Sequence, residues 1–202
     1  MRSPQTLTEA DRRNVAVWAA DCAERVLGLF EAEAPGDCRP RDAIARLRAF
    51  ARSEIGVAEA RRRFVAHAAA REVSAPTAVA AARAAGQAAS IPHMGAHALG
   101  AAAYAAKAAG LATPDRPDAV SEEVGWQLGH MPAAARAALR QLPPVGEIRP
   151  APSGRAFSRR AFSARSSVIS RPAWRTSIAP FLPDRRPARK TERKRSSLTR
   201  CT

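Results

Sequence analysis

The segment Ala84–Ala108, with the sequence AAGQAASIPHMGAHALGAAAYAAKA, predicts the centre of the fold. Alanine is the strongest helix former, and its small side chain lets neighbouring helices approach closely. His93 and His97 are four residues apart, and Tyr104 follows seven residues later. At 3.6 residues per turn, both histidines, Gly100 and the tyrosine would lie on one stripe of a helix. This segment therefore indicates the central helix of an all-helical domain.

Further helices are predicted on both sides of this segment. Thr8 and Asp11 form a capping-box pattern before an amphipathic stripe that ends at Pro35. Pro92 can separate two helices or kink a single one, and the sequence leaves both open. The other predicted helices are one from Pro40 towards Gly56, one over 57–73, one over 76–89, one that starts at Asp118 or Ser121, and a short one from Pro132 to near Leu142.

No part of the chain before residue 142 shows the alternation of β-branched residues that is typical of strands. We therefore predict an all-α fold, a single compact bundle of six to seven short antiparallel helices over residues 7–142. An alanine-rich bundle offers few large side chains to anchor its core. The expected anchors are Trp18, Phe30, Phe50, Phe64, Tyr104 and Trp126.

The net charge of +15 is concentrated at one end of the chain. Residues 1–142 hold 18 Lys and Arg against 15 Asp and Glu, whereas residues 143–202 hold 15 against 3. The second segment is rich in Arg, Ser and Pro and has no helical stripe, so we expect a disordered basic tail over 143–202. Three origins stay open: a tail that binds nucleic acid or another anionic partner, an inert extension, or out-of-frame translation past an ancestral stop.

Four separated segments resemble one family of bacterial immunity proteins, the immunity-five-like domain. They are WAADCAERV from Trp18, RPRDAI from Arg39, AHAAAR from Ala66 and HMGAHALGAAAY from His93. The resemblance extends from about Leu7 to Leu142, and the tail has no counterpart in it. It implies an all-helical cytosolic protein that protects its producer by binding a cognate toxin.

A set of polar residues within these segments is a candidate polar seam or partner contact. Two histidines on one helix could ligate a metal ion, but they leave a divalent ion short of its usual four ligands. His67, Asp21 or Cys22 could supply a further ligand. We predict no metal, no cofactor and no catalytic residue, and expect a hydrogen-bonded seam or a partner-binding groove. Its members are Asp21, Arg25, Arg41, Asp42, His67, Arg71, His93, His97 and Tyr104.

The leading hypothesis for function is thus an immunity protein that neutralises a toxin or effector protein by binding it. The second is a nucleic-acid-associated protein that acts through the tail, and the third is a metal-dependent helical-bundle enzyme that uses His67, His93 and His97. Three scattered cysteines, Cys22, Cys38 and Cys201, favour a reducing compartment. No apolar run approaches the roughly 20 residues of a membrane span, so we expect a cytoplasmic protein that does not enter the membrane.

Overall fold

The computed structural model describes residues 6–60 and 66–143, and every regular element in these residues is a helix. The prediction of an all-α fold is confirmed. The tail prediction for residues 144–202 lies outside the described residues. The helices are α1 Glu9–Arg25, α2 Leu27–Glu31, α3 Arg39–Ala51, α4 Val57–Ala60, α5 Ala66–Ala69, α6 Pro76–Ala89, α7 His97–Ala112, α8 Ala119–Gly129 and α9 Ala133–Leu139.

Three helices form the centre of the bundle. Helix α6 packs along α7, and α1 lies against both of them. Helices α3 and α9 pack on α1, α2 and α5 pack on α6, and α8 packs on α7. The α6–α7 interface consists mainly of buried alanines. Their small side chains allow the two backbones to come close together, as the opening segment predicts.

The connection between α6 and α7 corrects one prediction. Helix α6 ends at Ala89 and α7 begins at His97, so His93 lies in a non-helical connection. The prediction that both histidines share a helical stripe is therefore wrong. Proline lacks an amide hydrogen and disfavours helical backbone in the residue before it. Ile91 and Pro92 are instead fully buried, and this burial fixes the connection against the core.

The first predicted helix is divided in two. Its start is confirmed, since the Thr8 hydroxyl accepts a hydrogen bond from the Asp11 amide at 3.1 Å. The helix ends early because Val26, between α1 and α2, adopts φ −107° and ψ 0°, outside the range of an α-helix. Leu27 and Phe30 are buried on α2, which packs against α6. The predicted continuous helix up to Pro35 is thus wrong.

The large side chains divide between core and surface. The predicted anchors Trp18, Phe30 and Phe50 are buried, and Leu47 and Ile91 join them. The predicted anchors Tyr104 and Trp126 are only partly buried. Phe64 lies outside the described residues, as does the middle of the helix predicted over 57–73. Within the described residues, no helix is long and apolar enough to cross a membrane.

Candidate partner-binding face

Helices α6 and α7 run antiparallel and place polar side chains opposite one another. The His97 ring lies beside Gln87, with 2.7 Å between Nδ1 of the imidazole and Oε1 of the amide. Four residues earlier on α6, the Arg83 guanidinium lies 5.8 Å from the centre of the Tyr104 ring. The residue numbers fall on α6 as they rise on α7, which is the register of an antiparallel pair.

The pairing of His97 with Gln87 depends on the glycine at position 100. A Cβ atom added at Gly100 would lie 2.6 Å from Gln87 Oε1, too close for a side chain to fit without movement. With the amide oxygen facing the ring, Nδ1 is the donor and the neutral imidazole keeps Nε2 as an acceptor. Burial lowers the pKa of His97, and the nearby His93 and His67 lower it further.

His67 reaches α6 at a second glycine. A Cβ atom added at Gly86 would lie 2.6 Å from His67 Nδ1, so the imidazole occupies the space that a side chain would fill. Burial lowers the pKa of His67, and the positive charges of Arg71 and Arg83 add to this effect. The ring is therefore neutral at neutral pH.

His93 is exposed in the connection four residues before His97, and its charge contributes to the lowered pKa of that ring. The structure thus brings three of the predicted histidines into one region, although they come from different segments. Among the described residues, no group of three His, Cys, Asp or Glu side chains could hold a metal ion. We call the surface formed by His67, Arg83, Gln87, His93, His97 and Tyr104 the histidine face.

The other predicted site residues belong to separate pairs elsewhere in the bundle. Asp21 on α1 pairs with Arg48 on α3 at 2.9 Å, and Arg41 on α3 pairs with Glu31 on α2 at 2.6 Å. Asp21, a possible further ligand in the sequence, thus pairs with Arg48, and the hydrogen-bond partner of His97 is Gln87.

Asp42 also lies outside the histidine face. Its carboxylate accepts a hydrogen bond from the Cys38 thiol at 3.2 Å. This contact raises the pKa of the Cys38 thiol, since a nearby negative charge disfavours the thiolate. Arg71 is exposed in the turn after α5 and borders the histidine face, where its charge acts on His67.

Arg25 is the exposed end of a network of hydrogen bonds that joins α1, α7 and α8. Its Nε donates to Glu123 at 2.9 Å, and its guanidinium stacks 3.8 Å above the Trp126 ring. The Gln127 amide nitrogen donates to the other Glu123 oxygen at 3.0 Å and to the Ala102 carbonyl at 3.1 Å. The Trp18 indole donates to the Gln127 carbonyl at 2.7 Å. Glu123 and Gln127 are almost fully buried, so this network has a structural role.

Sequence reasoning missed Gln87, which organises the histidine face. A signal was present, because Arg83 and Gln87 are the two long polar side chains of the alanine-rich α6 and lie four residues apart. That spacing places them on one side of a helix. Local sequence does not show how these side chains align with α7, because the alignment depends on the length of the connection around Pro92.

Comparison with known proteins identifies the class of protein that this helical bundle represents. The family described as Imm-5 like putative immunity protein matches residues 5–134, which is more than half of the chain. The chain belongs to this family. No curated protein and no solved structure matches the chain.

Proposed function

We propose that this chain neutralises a cognate bacterial toxin by binding it as a protein partner, without catalysis. The observation that carries this proposal is membership of the immunity-protein family over residues 5–134. The described residues supply a suitable surface in the histidine face, where half-buried polar groups surround an aromatic ring. Tyr and Arg are enriched at protein interfaces because they combine apolar area with hydrogen-bonding capacity.

The test examines the genes that neighbour the gene of this chain and co-expresses the chain with each toxin domain found there. The toxin alone should stop growth of a bacterial host, and the full chain should restore growth. The two purified proteins should elute as one complex. A toxin that stays lethal in the presence of the folded chain would contradict the proposal.

A titration of the purified toxin separates binding from catalysis. A binding protein protects only until toxin exceeds the available sites, so neutralisation should end at a fixed stoichiometry. An enzyme that modifies the toxin turns over, and a small amount would inactivate an excess. Neutralisation by a substoichiometric amount would therefore overturn the non-enzymatic part of the proposal.

A second candidate function rests on the charge of the tail. Residues 143–202 hold 15 Lys and Arg against 3 Asp and Glu. Such a segment can bind nucleic acid by neutralising phosphates, with an affinity that falls steeply as salt rises. This function would belong to the tail and would be separable from toxin binding.

A further inference from the structure

The chain has no Asp or Glu between Glu72 and Asp115, a segment that includes all of α6 and α7. Its ionisable side chains include Arg83, Lys107 and two histidines. The surface that these two helices present therefore has positive charges and no carboxylate of its own.

On the rest of the described surface most arginines are matched by acids, although Arg46, Arg136 and Arg140 also form no ion pair. Ion pairs there join Arg13, Arg25, Arg39, Arg41, Arg48, Arg52 and Arg116 to carboxylates. Within the described residues, no carboxylate forms an ion pair with Arg71, Arg83 or Lys107, and all three are exposed. Glu72, next to Arg71 in sequence, is held by Arg39 at 3.0 Å.

These three cations are placed around the histidine face. Arg83 lies over Tyr104, and Lys107 follows the tyrosine by three residues on α7, so both border the same ring. Arg71 follows α5, whose His67 contacts α6 at Gly86. Arginine and lysine on a surface without acids of its own favour a partner of opposite charge.

We infer that the histidine face binds an acidic, carboxylate-rich protein surface of the toxin. This inference rests on the proposed function and adds the chemistry of the partner. A guanidinium such as that of Arg83 can bind a carboxylate through two parallel hydrogen bonds. The Tyr104 ring and the neutral imidazoles supply the less charged centre that protein interfaces favour.

The number of charges favours protein over nucleic acid at this face. Proteins that bind duplex DNA commonly neutralise about 6–10 phosphates. Among the described residues, three permanently charged side chains lie within or beside the histidine face, and partial burial disfavours protonation of His67 and His97. A toxin cleft that binds nucleic acid is positively charged, so it would repel the positive charges of the histidine face. The toxin surface that it covers is therefore one that bears carboxylates.

The experiment measures the affinity of the full chain for a non-toxic variant of the toxin domain that the growth test identifies. Arg83→Glu and Arg71→Glu reverse charges at the face. Arg140→Glu is the matched control, because Arg140 is exposed at the end of α9, which packs on α1. Each reversal at the face should weaken binding about 10-fold or more at low salt, and the control should stay within about twofold. The difference should shrink at high salt.

Two further variants test whether a loss of affinity is due to the charge at position 83. Arg83→Gln removes the charge without reversing it and should lose less affinity than Arg83→Glu. A Lys substitution at one acidic residue of the toxin surface should restore binding to Arg83→Glu while weakening binding to the wild-type chain. Circular dichroism melting of each variant verifies that the fold is retained.

The outcomes separate the two proposals. If the wild-type chain binds the toxin domain and both reversals bind equally well, the inference is wrong and the proposed function stands. If the wild-type chain neither binds nor protects, the proposed function fails and the inference fails with it. If the reversals weaken binding to duplex DNA and leave toxin binding unchanged, the face is a nucleic-acid site and the inference is overturned.

Discussion

At the scale of single residues, the contact between His97 and Gln87 is the most direct link between sequence and site. Removing the ring by His97→Ala leaves the half-buried Gln87 oxygen without its donor. Such a loss costs about 1–3 kcal/mol when the remaining group stays buried, and we expect the lower part of that range. His93→Ala is the control, because His93 is exposed, and chemical denaturation should show almost no change for it.

Added zinc or a chelator should leave the melting temperature of the wild-type chain unchanged. Stoichiometric zinc in protein purified without an affinity tag, lost in His93→Ala, would contradict this expectation. That result would support the third hypothesis, the metal-dependent enzyme.

Replacing Gly86 by alanine gives a second prediction, because this substitution has one stabilising and one destabilising effect. Replacing glycine by alanine inside a helix stabilises it by about 1 kcal/mol. At Gly86 the new methyl group would lie 2.6 Å from His67 Nδ1, and overpacking costs about 1–3 kcal/mol. We expect Gly86→Ala to reduce the free energy of unfolding by about 1 kcal/mol, and the double variant with His67→Ala to regain most of it.

Gly125 on α8 is the matched control for Gly86. A Cβ atom added there meets no heavy atom within 4 Å. Gly125→Ala should therefore stabilise the protein by up to about 1 kcal/mol. If both alanine variants were equally stabilising, the contact between His67 and α6 would not exist in solution.

The two half-buried imidazoles, His67 and His97, predict how stability depends on pH. The folded state lowers the pKa of His67 and of His97 below the value of about 6.5 that an unfolded chain has. The unfolded chain therefore takes up protons first as the pH falls, which favours unfolding. Stability should be greatest above about pH 7 and decrease as the pH falls through about 6.5. Melting curves of a His67→Gln/His97→Gln variant should show a smaller decrease, and an equal decrease would exclude these two groups as the cause.

At the scale of helices, the Glu123–Gln127 network holds α8 against α1 and α7. Gln127→Ala removes a donor to Glu123 and to the Ala102 carbonyl, in a region that water does not reach. A buried carboxylate oxygen without its donor should cost about 2–3 kcal/mol. Gln141→Ala is the control at an exposed amide and should stay within about 0.5 kcal/mol in denaturant unfolding. Equal effects of the two variants would show that the network does not hold α8 in place.

The helices themselves show how far local sequence determines this fold. Pro76 and the alanine run predict α6 over the residues that it occupies in the structure, because helix propensity and a proline in the first turn act locally. The break at Val26 has no comparable signal. It depends on packing of Leu27 and Phe30 against α6, which is distant in sequence. The candidate site follows the same division. The sequence predicts His67 and His97 as site residues, whereas their contacts with Gly86 and Gln87 depend on how the helices align.

At the scale of the whole molecule, the distribution of charge suggests two separate binding surfaces. Residues 1–142 have nearly balanced charge, yet their carboxylates are absent from α6 and α7. Because α6 and α7 contain no acidic residue, they present a positive face on a bundle whose net charge is low. The tail would act differently, through its 15 Lys and Arg against 3 Asp and Glu. A surface of the first kind can discriminate between proteins, whereas one of the second kind binds polyanions in general.

This separation predicts the behaviour of a truncated chain that ends at Leu142. The helices that form the core end at Leu139, so the truncated chain should keep the helical circular dichroism signal and the melting temperature of the full chain. A large loss of either would show that the tail packs on the bundle.

The same truncation tests the tail as a nucleic-acid binder. The full chain should retard duplex DNA at low salt, and its affinity should fall with salt along a linear log–log slope, because each neutralised phosphate releases counterions. The truncated chain, which lacks most of the excess positive charge, should not retard DNA but should bind the toxin domain as well as the full chain does. Equal retardation by both chains would place DNA binding on the bundle and exclude the tail as its source. Loss of toxin binding on truncation would show that the tail takes part in partner recognition and that the two surfaces are not separable.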